Sequence, residues 1–169
     1  CFAKRCEIGV PENVFLLFSV GELNENKNHQ IVIRAMAKLK DLNIHYAIAG
    51  VGDKREHLLA LARDLGVSKQ LHLLGYRKDV AELYKAADVF VFPSTFEGLG
   101  LVLIEAQVNG LKCYASSRHV PNESKVSEQL EFVNLEEGSK YWSKYILNSN
   151  NNRKGVLNEI TSAGYNIEN

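Results

Sequence analysis

Val14-Phe15-Leu16-Leu17-Phe18-Ser19-Val20-Gly21 is a near-continuous apolar run that stops on a glycine. A run without alternation suits a strand buried on both faces, and therefore a parallel sheet. Just downstream, Ile31, Ala35 and Leu39 lie four apart, with Val32 and Met36 beside them. Gln30, Arg34 and Lys38 fall on the opposite side, so the spacing predicts a helix over Asn28 to Asp41. Asn43 breaks that pattern, and Ile44 to Ala49 reads as a second strand closed by Gly50-Val51-Gly52. The order strand, helix, strand sets the fold class, and the rest of the chain repeats it.

The repetition predicts helices from Lys54 to Leu65, Val80 to Ala86, Gly100 to Asn109, Ser139 to Leu147 and Lys154 to Ala163. Further strands are expected at Gln70 to Leu74, Val89 to Phe92, Lys112 to Ala115 and Glu131 to Val133, with Asn148 to Asn152 as a polar turn. Strands alternating with helices at this spacing indicate an α/β fold. The expected architecture is a Rossmann-like open parallel sheet with helices on both faces, in one domain over residues 1–169. Ligands of such sheets sit outside the carboxyl ends of the strands. Function is therefore sought in the loops after Val20, Ala49, Leu74, Phe92 and Ala115.

Composition removes several classes. Hydrophobic residues at 46% supply a core, and 24% charged residues keep the surface polar, which excludes wholesale disorder. Twenty Lys plus Arg balance twenty Asp plus Glu, so no global charge draws the chain to nucleic acid or to an anionic membrane. No apolar run approaches the ~20 residues that span a bilayer, and no signal-peptide pattern opens the chain. Cys1, Cys6 and Cys113 are odd in number and lack a redox or zinc spacing, which reads as reduced thiols in a cytoplasmic protein. The chain opens on Cys1 and its single methionine is Met36, so it reads as a piece of a longer protein.

The loop after the fourth strand carries the densest chemistry, Pro93-Ser94-Thr95-Phe96-Glu97-Gly98-Leu99-Gly100 running into a helix. Gly98 and Gly100 would let a ligand approach the backbone, where the first free N–H groups of a helix hold an anion such as phosphate. Glu105 interrupts an otherwise apolar helix, and a carboxylate there is costly unless it is paired. Either it bridges to a neighbouring helix or it accepts from ligand hydroxyls. Glu97 precedes it by eight residues on the same side. Two carboxylates around a helix N-terminus could hold the hydroxyls of a sugar nucleotide while the amides hold its phosphates. In the loop after the first strand, Gly21 and Lys27 suit a phosphate.

Other sites are excluded. Gly50-Val51-Gly52 resembles a dinucleotide fingerprint, but position 55 is Arg55 rather than glycine, and a tight turn before a helix accounts for it. No P-loop, G-x-S-x-G elbow or D-x-D pair is present. His29, His45, His57, His72 and His119 show no H-x3-H spacing, so no zinc site and no other metal site is expected.

Four stretches then fall into one pattern: Ser19 to Leu23 with Lys27, Gly75 to Val80, Ala87 to Ser94, and Glu97-Gly98-Leu99-Gly100 to Glu105-Ala106. In that order they resemble the retaining glycosyltransferases of the two-domain GT-B type, family 4 ("group 1"), over about Val14 to Ser117. The pair Glu97 and Glu105 is the most specific element. The resemblance implies the C-terminal, donor-binding half of such an enzyme. Its partners would be a nucleotide sugar and the chain's own N-terminal acceptor domain, with no cofactor. Any peripheral membrane contact, at the inner face, would run through the other half. It also implies roles. Glu97 is the catalytic-site carboxylate that meets hydroxyls of the donor sugar, and Glu105 accepts from the ribose. The amides of Gly98, Leu99 and Gly100 meet the diphosphate, with Lys27 adding charge at the Gly21-Glu22 loop. The backbone near Tyr76 and Arg77 lines the base pocket. Transfer to a glycan or lipid-linked acceptor in bacterial surface-polysaccharide synthesis is the implied reaction, and the fragment alone is expected to be inactive.

The chain departs from that pattern in three places. Glu22 stands where the family has arginine, Gly110-Leu111-Lys112-Cys113-Tyr114 replaces a G-x-P-V-like strand, and Ser117 to Glu123 replaces a glycine and acidic loop. The first departure predicts a modest hold on a diphosphate, with Glu22 either turned away or paired internally to Lys27 or Arg77. Two other readings stay open: a module that holds a nucleotide sugar without turnover, and a sugar-nucleotide epimerase of the same fold.

Overall fold

The apolar runs become the inner strands of a six-stranded, all-parallel sheet in the computed structural model, which describes residues 2–162, with side chains through 150. The elements in chain order are α1 (Phe2–Glu7), β1 (Phe15–Val20), α2 (His29–Ala37), β2 (Ile44–Ala49) and α3 (Arg55–Asp64). They continue with β3 (Leu71–Gly75), α4 (Val80–Ala86), β4 (Val89–Phe92), α5 (Leu101–Val108), β5 (Lys112–Ser116), β6 (Leu130–Val133) and α6 (Gly138–Ser162). Strand order is β3-β2-β1-β4-β5-β6. The order reverses between β1 and β4, and that crevice is where such sheets bind ligands.

Side chains alternate along each strand between two cores. Leu17, Tyr46, Ile48 and Val91 meet α2, α3 and α6 on one face, through Val32, Met36, Leu58 and Trp142. Leu16, Phe18, Phe90 and Phe92 meet α4 and α5 on the other, through Leu83, Tyr84, Leu103 and Ala106. Both faces of β1 are therefore covered, and all its residues but Val20 are buried, as its unbroken apolar run requires. No helix among the described residues is long and apolar enough to cross a membrane.

Three features differ from the sequence expectation. Helix α1 carries no apolar period; ion pairs and hydrogen bonds of Lys4 and Arg5 hold it against the domain. Helix α2 ends at Ala37 rather than Asp41, with the next residues in turns that bond back to Ala35 and Met36. The polar stretch Asn148 to Asn152 is helix, not turn, because α6 runs on through it. No Gly or Pro breaks the helix there. Ser149 meets the hydroxyl of Tyr114 at 2.5 Å, and Asn150 is buried, so these polar groups face protein rather than water. Of the predicted helix from 154 to 163, the last residue lies outside the described residues, as does Cys1. Cys6 and Cys113 are free thiols.

Candidate active site at the sheet switch point

The loop after β1 is held from beneath and from the side. Beneath it, a buried chain of polar groups crosses the sheet. The Ser19 hydroxyl donates to the carbonyl of Val91 at 2.5 Å and meets the Tyr46 hydroxyl at 2.7 Å. Tyr46 meets His29 Nδ1 at 3.0 Å, and His29 Nε2 lies 3.3 Å from the carbonyl oxygen of Glu22. Burial pushes the pKa of His29 down to about 4, so the ring is neutral at physiological pH. Its 3% exposure makes that chain a fixed support for the Gly21-Glu22 backbone. Local spacing does not reveal it, because its members come from β1, β2, α2 and β4.

From the side, the loop after β2 packs backbone to backbone against it. Gly21 N–H donates to Ala49 O, Leu23 N–H to Val51 O and Lys54 N–H to Leu23 O, at 2.9–3.0 Å. A Cβ at Gly50 would lie 1.9 Å from Gly21 O, and one at Gly52 would lie 2.3 Å from Leu23 O. The Gly-Val-Gly sequence is thus the seam between two loops, a more exacting role than the tight turn expected from sequence.

Between these loops and α4 opens a cleft of about 290 Å³, lined by Val20, Gly21, Glu22, Ala49, Gly50, Val51, Tyr76, Arg77 and Val80. Four of the expected site residues, Gly21, Glu22, Tyr76 and Arg77, meet there. The guanidinium of Arg77 is already committed to Asp79 (2.6 Å) and Glu7 (2.5 Å). Glu22 is exposed and accepts from Asn24 Nδ2 at 3.0 Å. The internal pair of Glu22 with Lys27 or Arg77 is therefore not formed, since both cations have other partners. A larger hollow of about 550 Å³ lies at the opposite, amino end of the strands, among Phe15, Val89, Lys112 and Glu131. None of the expected site residues lines it.

The partner of Lys27 is Glu97, in an ion pair that joins the loop after β1 to the loop after β4. The ammonium also stands 5.2 Å from the centre of the Phe92 ring. Asn26 ties the same two loops by backbone and side chain: Thr95 N–H donates to Asn26 O at 2.8 Å, and Asn26 Nδ2 donates to Phe96 O at 2.9 Å. The sequence held no sign of this Asn26 contact.

Beyond Glu97 the chain turns into α5 through Gly100, whose backbone is left-handed (φ 66°). Glycine is favoured there twice over, by that conformation and because a Cβ would lie 3.3 Å from the Phe92 ring. Among the described residues none accepts from the N–H groups of Gly98, Leu99 or Gly100. Three successive free donors at the head of a helix are groups that can bind an anion. Glu105 lies one turn into α5. It is exposed rather than buried, and its Oε2 accepts from the Tyr84 hydroxyl at 3.1 Å. No cation among the described residues pairs with it, so the helix-to-helix salt bridge allowed by the sequence is not formed. The cost assumed for a carboxylate in an apolar helix does not arise either. Glu97 and Glu105 thus have different partners, Lys27 and Tyr84.

Residues 3–133 match the glycosyl transferases group 1 family. An uncharacterized glycosyltransferase of Methanocaldococcus jannaschii is 38% identical over 116 residues, covering 67% of this chain and 30% of that protein. The Escherichia coli UDP-Gal:alpha-D-GlcNAc-diphosphoundecaprenol alpha-1,3-galactosyltransferase is 35% identical over 119 residues, covering 68% of this chain and 31% of that protein. The chain thus spans about a third of the length of these relatives. Among solved structures, Anabaena HepE in complex with UDP-glucose superposes with a TM-score of 0.77 at 22% identity, over 90% of this chain and 43% of that one. Fold, switch-point cleft and sequence match agree, and the chain belongs to the glycosyl transferases group 1 family.

Proposed function

We propose that this chain is the C-terminal, donor-binding domain of a retaining glycosyltransferase that moves a sugar from a nucleotide-diphosphate sugar to a glycan or lipid-linked acceptor in bacterial surface-polysaccharide synthesis. The observation that carries the reading is the row of unused N–H donors at Gly98, Leu99 and Gly100, set at the sheet's switch point within the loop that pairs with Lys27. As the bond from the anomeric carbon to the diphosphate breaks, negative charge gathers on the leaving oxygens. Prepositioned amides and one cation stabilise that charge with little reorganisation. Glu97 holds hydroxyls of the donor sugar and Glu105 holds the ribose. The base lies along Tyr76 and Arg77 in the cleft. HepE was solved with UDP-glucose and the E. coli relative is named for a UDP-Gal donor, which supports a uridine nucleotide. The acceptor comes to an N-terminal partner domain, on the cytoplasmic face of the membrane.

Ligand-detected NMR with a panel of nucleotide sugars tests the reading. Binding of a nucleoside diphosphate sugar, competed by the matching nucleoside diphosphate, is the expected result; no binding across the panel refutes it. The domain alone should transfer no sugar, because the reacting groups must be held between two halves. A second reading, a binding module without turnover, draws on Glu22, which puts a carboxylate at the cleft where the family pattern has a cation. Turnover by the longer protein rejects it.

A further inference from the structure

Lys27 reaches Glu97 along a constrained path. Its own N–H is anchored to Asn24 Oδ1 at 3.0 Å, and its stem lies over Gly21, where a Cβ would stand 3.2 Å from the lysine Cδ and Cε. Glu97 is held through its own N–H, which donates to His119 O at 3.0 Å. The two loops are also joined by Asn26 to Thr95 and Phe96, independently of the ion pair. The pair can therefore open by side-chain rotation while both backbones stay in place. The two side chains are only 20% and 12% exposed, so separating them in the empty site leaves two poorly solvated charges. An anion alone compensates Lys27. Hydroxyl donors alone compensate Glu97. A sugar diphosphate offers both.

We propose that the Lys27–Glu97 pair is a displaceable latch that couples recognition of the diphosphate to recognition of the sugar. The diphosphate takes the ammonium from Glu97, and the freed carboxylate takes the sugar hydroxyls. Once the sugar has left, Glu97 returns to Lys27 and weakens the hold on the product diphosphate. The latch rests on the donor-binding reading above and adds an ordering of partners to it: the domain favours the intact donor over its own product.

Calorimetric titration of the 169-residue chain with inorganic pyrophosphate, UDP and UDP-glucose tests the latch. Glu97→Gln should bind pyrophosphate and UDP about two- to fivefold more tightly than the wild type, the scale of one partly exposed competing ion pair. It should also lose its preference for UDP-glucose over UDP. In a Lys27→Met background the gain from Glu97→Gln should vanish. A gain that persists there is plain repulsion of an anion by a carboxylate, and it overturns the latch. Nucleotide-sugar binding by the wild type with no gain in Glu97→Gln overturns the latch and leaves the donor-binding reading standing. Binding of no probe by any variant sinks both. Should Glu97→Gln fold poorly, the side-chain ammonium resonance of Lys27 in the wild type gives a separate readout. Pyrophosphate must shift it together with the Glu97 carboxyl carbon; movement of the lysine signal alone rejects the exchange.

Discussion

Gly50 lies against Gly21 so closely that a Cβ on the former would stand 1.9 Å from the carbonyl oxygen of the latter. The obstacle is backbone, not a side chain that can turn away. Gly50→Ala should therefore force the two loops apart and lower stability by about 1–3 kcal/mol, the usual range for overpacking. Gly98→Ala is the control. A Cβ there meets nothing within 4 Å, so the substitution should be neutral or slightly stabilising. Urea unfolding of the two variants checks both, and equal midpoints would contradict the seam between the loops.

Arg5 carries the attachment of α1. Its guanidinium donates to the carbonyls of Ala86, Glu12 and Val14 at 2.8–2.9 Å and to Asp88 Oδ2 at 2.8 Å, with both side chains largely buried. Asp88 Oδ2 also accepts from Leu16 N–H at 2.7 Å, which locks the start of β1. Arg5→Met should cost about 3–5 kcal/mol, because it removes the cation from a largely buried ion pair. Chemical denaturation gives the number. A loss below about 1 kcal/mol would mean that α1 is an accessory.

The sequence was most readable where burial is two-sided. Phe15 to Val20 and Val89 to Phe92 are unbroken apolar runs because helices cover both faces, so their place in the sheet follows from hydrophobicity alone. The glycine turn before α5 was legible for a similar reason, since few residues adopt φ 66°. Two kinds of feature were not legible. One is held by polar contacts between distant segments: α1 on Arg5, and the support of Glu22 by His29, Tyr46 and Ser19. The other depends on environment rather than on residue type. Asn148 to Asn152 has the composition of a turn, but continuing as helix lets Ser149 and Asn150 pack against protein.

His29 should leave a mark on the pH dependence of stability. Burial lowers its pKa to about 4, with the charge of Lys27 acting the same way, whereas the unfolded chain takes up this proton near pH 6.5. The unfolded state therefore binds more protons between those values. Stability is full above about pH 6.5, declines as pH falls, and levels off below about pH 4, a loss of about 3 kcal/mol from this group alone. In His29→Gln, which can still bond to Tyr46, the slope in that window should flatten. An unchanged slope would place the titration elsewhere, with His45 the next group to test, since burial and His72 lower it to about 4 as well.

Glu105 separates a ligand contact from a structural one. It is exposed on α5, and the one hydrogen bond to its carboxylate among the described residues comes from Tyr84 at 3.1 Å. The Tyr84 hydroxyl also lies 3.0 Å from Val102 O, and burial together with the nearby Glu105 charge raises its pKa. The tyrosine therefore stays a neutral donor. In Glu105→Gln the amide oxygen still accepts from Tyr84, so stability should move by no more than about 0.5 kcal/mol. If the carboxylate holds the ribose, nucleotide binding should weaken by about 1–3 kcal/mol, the scale of hydrogen bonds to a charged group. Tyr84→Phe gives the complementary case. It removes the hydroxyl from a largely buried site, so it should lower the unfolding midpoint while Glu105 keeps its charge and its ribose contact. Calorimetry with a nucleoside diphosphate, paired with urea unfolding, reads both quantities for both variants. If Glu105→Gln unfolds early and binds normally, Glu105 serves α5 and α4 rather than the ligand, and the ribose must be held by another residue.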